Sequence, residues 1–149
     1  MQQKVYVDTS VLILFSNINE LPLLKMVYGI VYITIPISKE FGRTVPSWII
    51  VDEENYYNNH LPIIGNGEAS LFSVALINKN VLLILDDYKA RKLAVLYKLN
   101  FSGTIGVLIA AKKLGYIKTI KPLLEKINNT NFRLSPEIFN KALLIAGEE

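Results

Sequence analysis

Five carboxylates in this chain stand where apolar segments end or begin: Asp8 after KVYV, Glu40 after VYITIPISK, Glu68 opening GEASLFSVAL, and Asp86 with Asp87 closing VLLIL. If these segments are strands of one parallel sheet, their ends share an edge, and Asp8, Glu40, Glu68 and Asp87 can meet there. Several carboxylates in one place repel and raise one another's pKa unless a cation neutralises them. The chain has no cysteine and one histidine. Oxygen-only ligation of that kind selects Mg²⁺ or Mn²⁺ over zinc, and no EF-hand loop is present to favour Ca²⁺. Such an ion can activate water and orient a phosphodiester for in-line displacement, which is nuclease chemistry.

The elements that must position these acids are legible in the hydrophobic pattern. KVYVD reads as a short buried strand, with Thr9 and Ser10 as capping candidates for a helix beginning VLILF. A helix between Glu20 and Tyr28 is stopped by Gly29. VYITIP is a second strand, and Pro36 or Ser38 starts a helix carrying Glu40 on its first turns. SWIIVDE is the weakest strand. NYYNNHLPIIGNG is a polar, Gly- and Pro-punctuated loop before a helix opened by Gly67 and Glu68. VLLIL is a continuous apolar run, hence a central strand buried on both faces. The helix after it turns Ala90, Leu93, Ala94, Leu96 and Tyr97 inward. Later come a short segment around Phe101, the helix of GVLIAAKKLG, another over Ile120 to Ile127, FRLS as an edge strand, and a last helix started by Ser135 and Pro136 and ended by Gly147. This alternation predicts an α/β protein, one domain over residues 1–149, with about four to five parallel strands between helical layers.

Composition narrows the class. The 149 residues are 51% hydrophobic, yet no apolar run reaches the ~18 residues that span a bilayer. The surplus is expected in a core and a subunit interface, and the lack of cysteine fits a reducing cytoplasm. MQQKVYVD lacks the apolar stretch of an export signal. The net charge of +3 is too small for a protein that coats DNA, but residues 89–126 carry nine Lys or Arg against the single acid Glu125. A phosphate-bearing partner would feel that stretch, although solvated helix faces explain the same spacing.

The ordered set VDTSVLI, IPISKEF, GEASLFSVAL, LLILDDYKARKLA and GTIGVLIAAKKLGYI resembles the PIN-domain ribonucleases, in particular small prokaryotic members similar to VapC toxins. The resemblance implies a PIN-like three-layer fold, a metal-dependent endoribonuclease hydrolysing RNA with metal-activated water, homodimerisation, and a small antitoxin beside a type II toxin. It assigns Asp8, Glu40, Glu68 and Asp87 as catalytic and metal-binding acids, with Asp86 a weaker fifth. Ser10 and Thr104 look like auxiliary hydroxyls. The chain departs from the common family pattern in carrying Glu68 at the third acid and LDD at the fourth.

Each residue has a plainer reading. Asp8 and Ser10 can cap the first helix, Glu40 and Glu68 can be first-turn acids that complement a helix dipole, and one of Asp86 and Asp87 can cap the helix that follows. Thr104 also suits a cap. Arg91, Lys92, Lys112 and Lys113 are candidates for RNA contact or for solubility. His60 reads as surface, and Trp48, Tyr56 and Tyr57 as packing residues that could stack on bases. Two other functions compete with a toxin: a non-catalytic PIN-like RNA-binding or assembly module, and a housekeeping RNA-processing nuclease.

Overall fold

A computed structural model of the chain describes residues 3–54 and 66–148. Five short strands, β1 (Lys4–Val7), β2 (Val31–Thr34), β3 (Ile49–Asp52), β4 (Val81–Ile84) and β5 (Asn100–Ser102), form one sheet in the order β3-β2-β1-β4-β5, with every pairing parallel. The helices among the described residues are α1 (Thr9–Asn17), α2 (Pro22–Tyr28), α3 (Ile35–Phe41), α4 (Asn66–Ile77), α5 (Tyr88–Leu96), α6 (Thr104–Lys113), α7 (Lys121–Asn128) and α8 (Pro136–Ala146). One group, α1, α3 and α4, packs together, and α6 contacts both α2 and α8. The result is the expected three-layer α/β architecture. His60, Tyr56 and Tyr57 lie outside the described residues.

The strands are apolar for the reason inferred. Val81, Leu83 and Ile84 of β4 are buried with Val5, Tyr6 and Val7 of β1, because a central parallel sheet is covered on both faces. Buried side chains from strands and helices join in one cluster. Among the described residues, no single helix is long and apolar enough to cross a membrane.

Several local readings need correction. Of the capping candidates Asp8, Thr9 and Ser10, Asp8 is the N-cap residue of α1 and the other two are not. The second strand stops at Thr34, which caps α3 through its side chain, so Pro36 sits in the first turn and Glu40 falls near the helix C-terminus. FRLS is not a strand. The N–H of Leu134 donates to Asn128 Oδ1 (2.8 Å) and that of Phe132 to Thr130 Oγ1 (3.1 Å), so local side chains take bonds that a ladder would need. On α5 the buried side is Ala90 and Ala94, whereas Leu96 is 71% exposed.

Candidate active site

The strand order reverses direction between β1 and β4, which pair in register from Lys4 with Val81 to Val7 with Ile84. In open parallel sheets a crevice forms outside the carboxyl ends of the strands at such a switch point. Asp8 leaves β1 there, and Asp86 and Asp87 leave β4 just beyond Leu85. Four carboxylates, Asp8, Glu40, Glu68 and Asp87, line one cleft of about 370 Å³ together with Thr9, Ser10 and Ile13.

Each acid is held by a different element. Asp8 is buried and accepts the Thr9 N–H at 2.8 Å, with the Ser10 hydroxyl at 3.4 Å from its other oxygen. Glu40 accepts the Thr9 hydroxyl at 2.7 Å, which ties α3 to the first turn of α1. A carboxylate in the last turn of a helix meets the negative end of the dipole. The dipole explanation of Glu40 therefore fails, whereas Glu68 does lie in the first turn of α4, where the dipole favours it. Asp87 caps α5, taking the Ala90 N–H at 2.9 Å on Oδ2, and still lines the cleft.

Asp86 takes a different role. Its Oδ1 accepts the Thr104 N–H at 2.8 Å and its Oδ2 the Thr104 hydroxyl at 2.6 Å, a two-point clamp from the end of β4 to the start of α6. A Cβ on Gly103 would lie 2.5 Å from Asp86 Oδ1, so glycine is needed there for close approach. The LDD and GT motifs are thus two halves of one contact. Thr104 is buried with its hydroxyl engaged, and the cap position of α6 belongs to Gly103.

A buried pair of hydroxyls sets α3 against α4. Ser70 Oγ donates its only proton to Gly67 O at 2.6 Å, so in the 2.6 Å contact between the hydroxyls Thr34 is the donor. Glu40 and Glu68 follow in register from those helices. Thr34→Val is expected to strip the α3 cap and leave Ser70 without its buried donor, costing about 1–3 kcal/mol in a denaturant titration. An unchanged midpoint would show that the pair does not hold the helices.

The electrostatics of the cleft are those of excess negative charge. Burial, then repulsion from Glu40 and Asp86, pushes the Asp8 carboxyl up to about 6 against the hydrogen bonds that lower it. Burial, then repulsion from Asp8, Asp87 and Glu40, pushes Glu68 up to about 7. Neither ion pair among the described residues, Lys112 with Glu148 or Lys126 with Glu20, reaches the cleft. The donor set is all oxygen, which suits a hard divalent cation. No three His, Asp or Glu side chains among the described residues form a ready-made cluster able to hold a metal, so ligation would draw the carboxylates inward.

The other candidates scatter. Ser10 lines the cleft. Lys112 gives its ammonium to Ala146 O and Glu148 at 2.6 and 2.9 Å, fixing α6 to the end of α8, and is thereby committed to structure. Lys113 is exposed. Arg91 lies over the Phe101 ring and Lys92 over Tyr88, outside the acidic cleft. Trp48 is half-buried against the core. Sequence reasoning passed over Thr9 as a capping residue, although its place between Asp8 and Ser10 was the available signal. Ile13 carried no chemical signal, because a wall residue is recognisable only once the cleft exists.

A doubly wound parallel sheet with carboxylates gathered at its switch point defines the class. A family model described as a PIN domain matches residues 4–148, and the chain belongs to that family. PIN domains are generally nucleases, and this fold is of nuclease type. Among curated proteins and among solved structures, no match is found.

Proposed function

We propose that this protein is a Mg²⁺- or Mn²⁺-dependent endoribonuclease in which Asp8, Glu40, Glu68 and Asp87 hold the metal. The observation that carries the reading is the convergence of these four acids, from four separate elements, on one cleft at the switch point. When bound, a divalent ion supplies water activation and charge neutralisation for phosphodiester hydrolysis. Asp8 is the buried anchor, Thr9 orients Glu40, and Asp87 keeps an oxygen beyond its cap bond. A chelator-controlled cleavage assay on mixed RNA tests this: cutting should require added Mg²⁺ or Mn²⁺ and stop with EDTA. Cleavage indifferent to EDTA would overturn it.

In the cell we propose the role of a toxin paired with a small antitoxin, acting as a homodimer in the cytoplasm. Tyr88, Val95 and Leu96 on α5 are 73%, 64% and 71% exposed, and such apolar side chains suit a protein contact. One observation favours the rival, a non-catalytic RNA-binding module: the acids are not gathered into a preformed metal cluster. Mn²⁺ calorimetry separates the two, since the rival predicts no binding and RNA affinity that ignores chelator.

Gly67 offers a sharper test. A Cβ there would overlap Glu40 Oε1 and crowd Ile37 Cγ1 at 3.1 Å, so both side chains must give way. Gly67→Ala is expected to leave thermal stability unchanged or slightly lower, because alanine's helix preference is offset by crowding of the buried Ile37 and loss of the Thr9–Glu40 hydrogen bond. Mn²⁺ affinity and cleavage should fall roughly tenfold or more as Glu40 is displaced. Full cleavage in this variant would remove Glu40 from the ligand set.

A further inference from the structure

We infer that the cavity beside the acidic cleft is a nucleobase pocket, receiving the base of a nucleotide next to the phosphodiester held at the carboxylates. The inference rests on the endoribonuclease reading of that cleft. The cavity, of about 350 Å³, opens between α1 and the turn that follows α7, and Ser10 and Ile13 line both it and the cleft. A chain entering one space is therefore at the wall of the other.

The two cavities divide the chemistry of a nucleotide. Four carboxylates line the cleft, whereas no ionisable side chain lines the neighbour, and its surface is mostly apolar. Phosphate belongs with a metal at the first, and an uncharged base fits the second. Phe132 is 37% exposed at the pocket and offers a ring for stacking. Asn17 and Asn131 line the same pocket, and among the described residues neither amide forms a side-chain hydrogen bond. Each amide carries a donor and an acceptor side by side, as the edge of a base does.

The pocket wall is built before any ligand arrives. Thr130 donates its hydroxyl to Ile127 O at 2.6 Å and accepts the Phe132 N–H at 3.1 Å, while Asn128 holds Leu134 at 2.8 Å. Anchoring on both sides of Phe132 lowers the ordering cost of stacking. An apolar side chain of a partner protein could enter the same space, but it would leave the two amides unmatched.

The test uses the full chain and short single-stranded RNA containing 2-aminopurine, with Ca²⁺ present to neutralise the carboxylates. Wild type should quench the fluorophore saturably, and Phe132→Ala should weaken binding roughly tenfold or more, the scale of one base stacked on an aromatic ring. Phe132→Tyr should restore it. With Mn²⁺, Asn17→Ala and Asn131→Ala should shift the base preferred at the cut site with little change in melting temperature. Unchanged quenching and affinity in Phe132→Ala, or no quenching by wild type, overturns the pocket. Quenching by a wild type that cleaves no RNA with Mn²⁺ supports the pocket and sinks the nuclease reading instead.

Discussion

Asp8→Asn is expected to reduce metal-dependent RNA cleavage on the order of 10³-fold or more, the scale of losing a metal that activates water and neutralises phosphate. Asp8 is the one acid of the four that is buried, at 5% exposure, and it sits at the end of the central strand β1. Nothing nearby among the described residues can replace its charge, since the adjacent hydroxyls of Thr9 and Ser10 are neutral and Asp86 is committed to Thr104. Asparagine is nearly isosteric and is itself a good N-cap, so the bond from the Thr9 N–H survives. Circular dichroism should therefore match wild type while Mn²⁺ binding and cleavage disappear together. Undiminished cleavage by this variant would falsify the metal site as drawn.

Stability of the metal-free protein should fall as pH rises from about 4 to about 7. Asp8 and Glu68 have ordinary values of 3.8 and 4.5 and are raised to about 6 and about 7 in the fold. Between those limits the folded chain binds more protons than the unfolded one, so raising pH disfavours folding. Their stabilisation is fully present below about 4 and is lost once pH exceeds the raised values. For buried Asp8 the shift corresponds to roughly 2–3 kcal/mol, while Glu68, more open to solvent, contributes less. Asp8→Asn should flatten the profile and raise the metal-free melting temperature at pH 8, although the same variant loses activity. Saturating Mn²⁺ should restore wild type at pH 8, by about 2.7 kcal/mol at a hundredfold excess over Kd, and leave Asp8→Asn unmoved. A melting temperature that rises from pH 4 to 8 without metal, over and above other titrations shared with Asp8→Asn, would contradict the cause assigned here.

Much of the fold was legible because its signals are local. VLLIL is apolar at every position since β4 is covered on both faces, and KVYV ends at Asp8 where β1 ends. Ser135 and Gly147 bracket α8 as N-cap and left-handed C-cap, the two ends that side-chain chemistry specifies best. FRLS was misread because strand propensity is weak against side-chain bonds from Thr130 and Asn128. Glu40 was placed too early in its helix because Pro36 fits more than one first-turn position, and Thr34 took the cap.

The chain by itself determined which acids stand at the ends of elements, that the side-chain donors gathered there are oxygens, and that strands and helices alternate. Those are consequences of residue type and short-range pattern. Only the tertiary structure decided that Asp87 faces the cleft while Asp86 clamps Thr104, since adjacent identical residues differ solely in which way the backbone turns. It also withdrew Lys112 to Glu148, joined Thr9 to Glu40, and set Phe132 and Ser10 on the walls of one pocket, pairings separated by 31 residues or more. Such pairings depend on how whole helices pack, and no local period in the sequence encodes them.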